Sequence, residues 1–580
     1  MREFTKVTAT VFFGAALLGL TACGDAPETP AAIIETPQGP VQGVTTDNPM
    51  VTNFKGIPFA APPVGDLRWR APAPTPTWET VRLADTFSPM CRQESGGDGG
   101  FVDRIIEGHG LSAIKTALIK KIVDGMPAQT QSEDCLALNI RTGNLPGDDG
   151  APTNKQPVMV WIHGGGHQFG SGDFSTYQHN SLAEKGVVLV TINYRLGAFG
   201  YMAHPALSAD DPRGVSGNYG LLDQIAALEW VQQNIESYGG DPDNVTIFGE
   251  SAGGWSVTEL MASPKAKGLF HKAIGQSGAS TYHLGDLRGN STDWPSGHDT
   301  GKAIAAKMGL PENISANDLR ALNADEILTA VKDDNSLYDG LHPVRDGVVL
   351  PKNVGVAFRD GAINAVPVIF GYNADEGTLF FDNDPEPSVW VEDFPRTGKA
   401  EQVAALTPAY GSQNAALLVD HFKLYQPKQF RAGGTDMMGD DIFGVNVRYA
   451  ARQTAAAGQE AWLYAFTRVP PSKGQTIGAF HAAELPFVFG SHEKALGVSD
   501  EDFALTETIQ TYWTNFAKIG NPNGTGLAQW ANQSSGTWME FAGNNGRKTG
   551  SVQDYNRKIL DALEPGLVMH LEKVSPSGSQ

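Results

Sequence analysis

The sequence predicts an α/β protein with a mostly parallel central sheet flanked by helices, and three observations carry that expectation. Pro157–Ile162 and Val187–Ile192 are continuous apolar runs, the pattern of strands buried on both faces. Val245–Phe248, Pro367–Gly371 and Ala461–Phe466 repeat the pattern, separated by stretches of helical spacing such as Leu221–Ile235; that alternation suits parallel strands joined by crossover helices. Val245–Phe248 also runs straight into Gly249-Glu250-Ser251-Ala252-Gly253-Gly254. A strand that enters Gly-x-Ser-x-Gly and leaves as a helix describes a nucleophile elbow, a turn so tight that its serine is strained and exposed. Side chains at 249 and 253 would collide with the neighbouring strand or helix.

From the N-terminus, Arg2 and Lys6 precede an apolar stretch, Val11–Leu20, too short to span a bilayer. It ends in Leu20-Thr21-Ala22-Cys23, which resembles a bacterial lipobox. That resemblance implies a signal peptide over 1–22, lipid on Cys23 and an exported lipoprotein on the periplasmic or cell-surface face of a membrane. Gly24, rather than Asp, favours the outer membrane in a Gram-negative source. An ordinary secretory signal cut after Ala22 is the alternative. Residues 23–40, rich in Pro, Thr and Ala, read as a tether, and 41–580 as one catalytic domain, with Val41–Phe59 as an N-terminal antiparallel hairpin.

The chain has 580 residues, 41% hydrophobic and 18% charged, enough for a large core. A net charge of −21 excludes a nucleic-acid partner, which needs a basic face. The cysteines are Cys23, Cys91 and Cys135. With Cys23 lipidated, an even pair remains in an exported chain, where it should oxidise. Closing that loop of about 44 residues contributes roughly 4 kcal/mol in the chain-entropy picture. Within 92–130, Leu111, Ile114, Leu118 and Ile122 recur at helical spacing with lysines between them. This is either a helix packed on the surface or a lid beside the active-site mouth.

Acyl transfer through a serine needs a base, an acid to orient it and donors for the oxyanion. His163-Gly164-Gly165-Gly166-His167 directly follows the strand ending at Ile162, as in an HGGG oxyanion loop. The N–H groups of Gly165, Gly166 and Ala252 are the expected oxyanion donors. Asp375 and Glu376 are both eligible as the acid. His421, His481, His492 and His570 all qualify as a base that comes last in chain order. No histidine or cysteine grouping has metal-ligand spacing, no phosphate-cradling loop occurs, and no cofactor is expected.

Taken in order, Gly56–Ala60, Pro62–Trp69, Ser132–Leu136, Asn193–Gly197, Gly217–Gln224 and Gln276-Ser277-Gly278 make the chain resemble the type-B carboxylesterases. This family includes bacterial para-nitrobenzyl esterases and the cholinesterases, and the likeness runs from about Val41 to about Phe541. It implies an α/β-hydrolase fold with large insertions that form a deep gorge. It also implies a catalytic Ser251, with Glu376 as the acid because the family uses the residue before the glycine of Asp375-Glu376-Gly377. His481 becomes the base, from its setting in Gly478–Phe487. Glu250 and Ser277 match gorge positions near the nucleophile, Arg68 and Glu133 a family salt bridge beside the disulfide, and Arg195 and Asp223 the scaffold. There are departures. No Trp lies between Cys91 and Cys135, which excludes choline recognition by the aromatic site of cholinesterases. The acyl-pocket region, Leu337–His342, lacks the restricting phenylalanines. His342 and Arg345 face either an acidic or hydroxylated substrate or solvent.

The expectation is therefore a serine carboxylesterase acting on small-molecule esters. Its rivals are the same fold specialised for aromatic diesters, polyester oligomers or a toxin ester, lipase activity, and a non-catalytic binding or adhesion protein. The base should titrate in the ordinary imidazole range, roughly 6 to 7.

Overall fold

The apolar runs pair side by side in one thirteen-stranded sheet. The computed structural model describes residues 28–574 except 46–47, 95–100, 118–129, 146–153, 283–284, 290–294, 333, 335–336, 338–339, 381–386, 389, 392, 471–473, 493–497 and 544–547. The strands are β1 (Thr29–Thr36), β2 (Gly39–Thr45), β3 (Thr52–Pro58), β4 (Ala137–Thr142), β5 (Gln156–Ile162), β6 (Val188–Ile192), β7 (Gly240–Glu250), β8 (Lys272–Gln276), β9 (Val368–Asn373), β10 (Ala461–Phe466), β11 (Thr537–Phe541) and β12 (Gly550–Gln553). Across the sheet they run β1-β2-β3-β4-β6-β5-β7-β8-β9-β10-β11-β12, with the two-residue strand Arg82–Leu83 beside β2. From β6 to β11 every neighbour is parallel. Antiparallel pairing is confined to the two ends.

Successive side chains of a strand point to opposite faces, and here both faces are covered. Along β5, Val158, Val160 and Ile162 join one core with Leu138, Val190 and Ile247. Met159 and Trp161 join the other with Phe248, Phe489 and Trp513. The main helices on these faces are α2 (Tyr219–Asn234), α3 (Ala252–Ala262), α4 (Phe430–Gly439), α5 (Val445–Ala456) and α6 (Asp500–Ile519). Arg195 and Asp223 form a buried pair, with Nη2–Oδ1 at 2.7 Å and Nε–Oδ2 at 2.8 Å, the scaffold role expected of them. Removing one partner would strand a buried charge at a cost of about 3–5 kcal/mol. Arg68 Nε donates to Glu133 Oε2 at 2.6 Å, close to the Cys91–Cys135 disulfide.

One expectation needs correction and another is extended. The stretch 29–36, assigned to the tether, is strand β1, paired antiparallel with β2 so that Ile34 meets Val41. Its Pro/Ala/Thr composition hides an edge hairpin closed by a turn between Thr36 and Gly39, and proline is tolerated on such an edge. In the disulfide-bounded loop the first helix is Phe101–Gly108, N-terminal to the expected stripe. A second helical stretch covers 113–117, where Ile114 is 83% exposed. Leu118 and Ile122 lie outside the described residues, as do the signal segment and Cys23. Among the described residues no helix is long and apolar enough to cross a membrane.

Candidate active site

Five adjacent parallel strands end on one edge of the sheet, and each delivers one part of the site. The turn His163–His167 follows β5, Ser251 follows β7, Ser277 follows β8, Glu376 lies three residues beyond β9, and His481 lies on the longer loop after β10. Crevices outside the carboxyl ends of parallel strands are where open α/β sheets place their ligands.

Ser251 sits between β7 and α3 with φ 57° and ψ −123°, outside the comfortable regions for a residue with a side chain. Such strain costs on the order of 1–3 kcal/mol and persists because the surroundings enforce it. Those surroundings are close. A Cβ on Gly249 would lie 2.5 Å from the Gly253 carbonyl carbon, and one on Gly253 only 2.0 Å from Ile162 O. Helix α3 starts at Ala252, so its unpaired first-turn N–H groups and positive dipole end face the serine.

The glycine turn after β5 passes directly under the nucleophile: a Cβ on Gly164 would be 3.1 Å from Ser251 Cβ. Gly165 and Gly166 have φ of 105° and 60°, and the Gly165 carbonyl is tied down by the N–H groups of Gln168 and Phe169 at 2.9 and 3.2 Å. With the carbonyl held on that side, the turn can present N–H groups toward the serine. Among the described residues, no turn, loop or side-chain hydrogen bond takes the N–H of Gly165, Gly166 or Ala252. His163 closes the turn from behind, its ring stacked on Tyr194 at 4.4 Å. Its pKa falls to about 4 because burial outweighs its bond to the Gly164 carbonyl.

Of the two eligible acids, the structure brings only Glu376 to the imidazole. Glu376 Oε2 meets His481 Nδ1 at 2.6 Å, while Oε1 accepts the Asn373 N–H at 2.7 Å. Asp375 points the other way, its Oδ2 accepting the Ala479 N–H at 2.6 Å, so it clamps the loop leading to His481. The Asn373 amide completes the clamp, donating to Phe480 O at 2.8 Å and to Glu484 Oε2 at 2.7 Å. His481 Nε2 is buried, has no hydrogen-bond partner among the described residues, and lies 3.1 Å from Glu250 Oε1. The ring is held between Phe380 and Phe443, at 4.8 and 4.9 Å. Phe443 comes from a π-helical turn, Asp440–Gly444, of the kind often found at functional sites.

Burial by itself would lower the His481 pKa. Glu250 and Glu376, facing the ring from two sides, outweigh it and raise the value to about 9. Glu250 is pushed well above the usual carboxylate range, first by burial and then by Glu484 and Glu376, against the pull of His481. Glu250 and the imidazole thus hold their protons jointly. Both Glu250 oxygens and Ser277 Oγ are buried without hydrogen-bond partners among the described residues. Ser277 also has a positive φ, 46°.

Sequence reasoning missed part of this network. Asn373, Glu484 and Gln276 form a buried chain, with Gln276 Nε2 on Glu484 Oε1 at 3.0 Å and Trp513 Nε1 on Gln276 Oε1 at 3.1 Å. The signal was available for Glu484, three residues after His481 inside the diagnostic stretch; nothing pointed to Trp513. The rival bases lie elsewhere: His492 Nε2 meets Thr506 Oγ1 at 2.5 Å, His570 packs on Trp390, and His421 is exposed at a helix end. Arg345 is bound to Asp286 at 2.6 Å and to Val574 O at 3.0 Å. Among the described residues there is no cluster able to hold a metal ion.

Comparison with known proteins bears on the family and the fold. Residues 30–557 match the model of the Carboxylesterase family. The chain is 34% identical over 563 residues to a fumonisin B1 esterase of Sphingopyxis macrogoltabida, covering 95% of this chain and 93% of that protein. It is 36% identical over 507 residues to the para-nitrobenzyl esterase of Bacillus subtilis strain 168, covering 85% and 90%. Among solved structures, a carboxylesterase of Geobacillus stearothermophilus superposes with a TM-score of 0.71 at 30% identity, covering 92% of this chain and all of that one.

Proposed function

The chain belongs to the carboxylesterase family and is a carboxylic ester hydrolase, and from that premise we propose that it works through an acyl-enzyme on Ser251. The observation that carries this is the fixed imidazole: Nδ1 is locked on Glu376 and Nε2 is left without a hydrogen-bond partner among the described residues. In this reading His481 takes the Ser251 proton as the oxygen attacks the ester carbonyl. The N–H groups of Gly165, Gly166 and Ala252 stabilise the tetrahedral oxyanion. His481 then protonates the departing alcohol, and a water attacks the acyl-enzyme by the same route. Glu376 holds the ring orientation and favours its cationic form, and Glu250 lies beside the same ring at 3.1 Å from Nε2. Treatment with a fluorophosphonate followed by peptide mapping tests it. The expected result is a single adduct on Ser251 with activity lost in proportion; labelling elsewhere, or activity that survives full labelling, removes the serine mechanism.

The substrate is a small ester, and one observation favours a toxin-type ester as a second reading: the fumonisin B1 esterase aligns along nearly the whole chain. Including fumonisin B1 beside para-nitrophenyl esters in one kinetic panel separates the two.

The same reading includes an anchor. A charged start, a short apolar stretch and Leu-Thr-Ala-Cys support a diacylglycerol on Cys23. The first strand begins at Thr29, so the catalytic domain would sit close to the membrane. Cys23→Ser should leave an unanchored or unprocessed precursor whose domain still folds. Intact mass of protein from a lipoprotein-processing host decides it: an N-terminus at or beyond Cys23 without lipid would mean an ordinary secretory signal.

A further inference from the structure

Across Ser251 and helix α3, every residue from Ala252 to Ala262 is buried except Trp255, so only Ser251 and Trp255 retain partial solvent access. Ser251 and Trp255 thus mark two partly accessible places one turn apart on an otherwise enclosed helix. The two are linked directly, the Trp255 N–H donating to Ser251 O at 2.9 Å. Side chains on a helix lean toward its N-terminus, so residue i+4 covers the turn that carries residue i. Trp255 therefore stands one turn along the helix from Ser251, on the side toward which its side chain leans.

Trp255 also belongs to a corner of three rings. It meets His167 at 5.9 Å and His342 at 6.3 Å, and those two meet each other at 6.0 Å, all edge to face. His167 follows Gly166 of the oxyanion turn, and its Nε2 bonds Ser256 Oγ at 3.0 Å on the same helix. Gln168 Nε2 donates to Leu341 O at 2.6 Å, which ties the loop bearing His342 to the oxyanion turn. The corner is thus built from the nucleophile helix, the oxyanion turn and the 341–342 loop. The imidazole of His481 has a different aromatic wall, Phe380 and Phe443. No ring contact joins the two groups among the described residues.

The chemistry assigns sides to the two walls. The base must reach the leaving alcohol oxygen to protonate it, so the alcohol part lies along His481 and its phenylalanines. The acyl part extends toward the other wall. We infer that Trp255, backed by His167 and His342, closes the acyl side of the cavity and restricts the enzyme to esters of short or flat acyl groups. The loop at 337–342 lacks phenylalanines; the bulk comes instead from the helix behind the serine.

This inference rests on the acyl-enzyme reading, and the experiment separates the two. kcat/KM is measured for para-nitrophenyl acetate, butyrate, benzoate, octanoate and dodecanoate with the wild type, Trp255→Ala and Trp255→Phe. Butyrate esters of methanol, benzyl alcohol and para-nitrophenol are run in parallel. The wild type should favour acetate, butyrate and benzoate. Trp255→Ala should raise the octanoate-to-butyrate ratio by about 10-fold or more, the scale of a methylene-sized change in an apolar pocket. Trp255→Phe, which keeps a ring in the packing should the smaller residue unfold the helix, should give an intermediate rise. An acyl-length ratio that moves less than about twofold in both variants overturns the inference, as does a shift confined to the alcohol series. Loss of fluorophosphonate labelling at Ser251 in the wild type would bring down the mechanism as well; intact labelling with an unchanged ratio brings down the wall alone.

Discussion

At the strand ends Glu376 and the loop that carries His481 are held by several buried bonds, whereas the described part of the loop closed by Cys91 and Cys135 passes from buried to exposed within a few residues. Glu376 uses both carboxylate oxygens, Asn373 bridges Phe480 and Glu484, and Asp375 clamps Ala479. In the disulfide-bounded loop, α1 (Phe101–Gly108) buries Ile105 and Ile106, and Gly108 O receives the Thr476 N–H at 2.8 Å. A few residues later Ile114 is 83% exposed. His109 nevertheless packs its ring on Phe480, the residue before His481, so the loop rests on the support of that imidazole. The difference teaches where precision is stored: the Glu376–His481 pair is fixed by polar bonds to the strand ends, while the described part of the neighbouring loop reaches it through the ring contact of His109 with Phe480. Changes at the strand ends should alter rate, and changes in the loop should alter which ester is accepted.

The sharpest test of that division is Ser251→Ala, expected to lower kcat on para-nitrophenyl esters by about 10⁴-fold or more without changing Tm. Near-normal turnover in a folded, uncontaminated sample would remove the strand-end group from the chemistry. Next comes the pair of neighbouring carboxylates. Glu376→Gln should cost on the order of 10³- to 10⁴-fold in kcat, since it leaves the imidazole wrongly supported. Asp375→Asn disturbs one bond to the Ala479 N–H and should cost about tenfold or less. Equal or reversed losses would contradict the roles drawn from their bonds.

The pH profile probes the same region more gently. Only neutral His481 accepts the serine proton, so kcat/KM rises with pH as the imidazole deprotonates. Because Glu250 and Glu376 raise the His481 pKa, that limb should lie above the ordinary range expected from the sequence. Glu250→Gln removes one raising charge and should move the limb to lower pH; a limb that stays in place would show that Glu250 carries no charge against the ring. The smallest effect is expected from the loop. Shortening 96–125 while keeping Cys91 and Cys135 should change substrate preference by a few-fold and stability by only about 1 kcal/mol, since loop length enters closure entropy logarithmically. A lost fold, or an unchanged substrate profile, would make the segment a packed surface element and end the contrast between the two regions.

Much of the strand-end region was legible beforehand because its constraints are local. Gly249 and Gly253 mark a turn that no side chain can enter, and Val158–Ile162 marks a strand covered on both faces. Both are written in consecutive residues. The acid was legible only as a choice, since Asp375 and Glu376 are adjacent and chemically alike. It is the turn after β9 that sends one carboxylate to His481 and the other to Ala479. Strand β1 was hidden because an edge strand with Pro30 and two alanines lacks a strong apolar pattern. Helix α1 was not foreseen because its sequence lies outside the stripe Leu111–Ile122, part of which, 113–117, is helical as expected, while burial falls on Ile105 and Ile106.

The sequence by itself therefore determined the parallel core, the strained serine and the glycine turn beside it, because each depends on residues adjacent along the chain and on backbone geometry they alone permit. Tertiary structure decided what meets across the chain. Glu250 approaches His481 from a strand more than two hundred residues earlier, and Asn373 joins Glu376 to Glu484. Trp255 finds His342 through loops tied by Gln168. Those contacts depend on how separate strand ends are brought to one edge of the sheet, and no local pattern of residues encodes the distances between them.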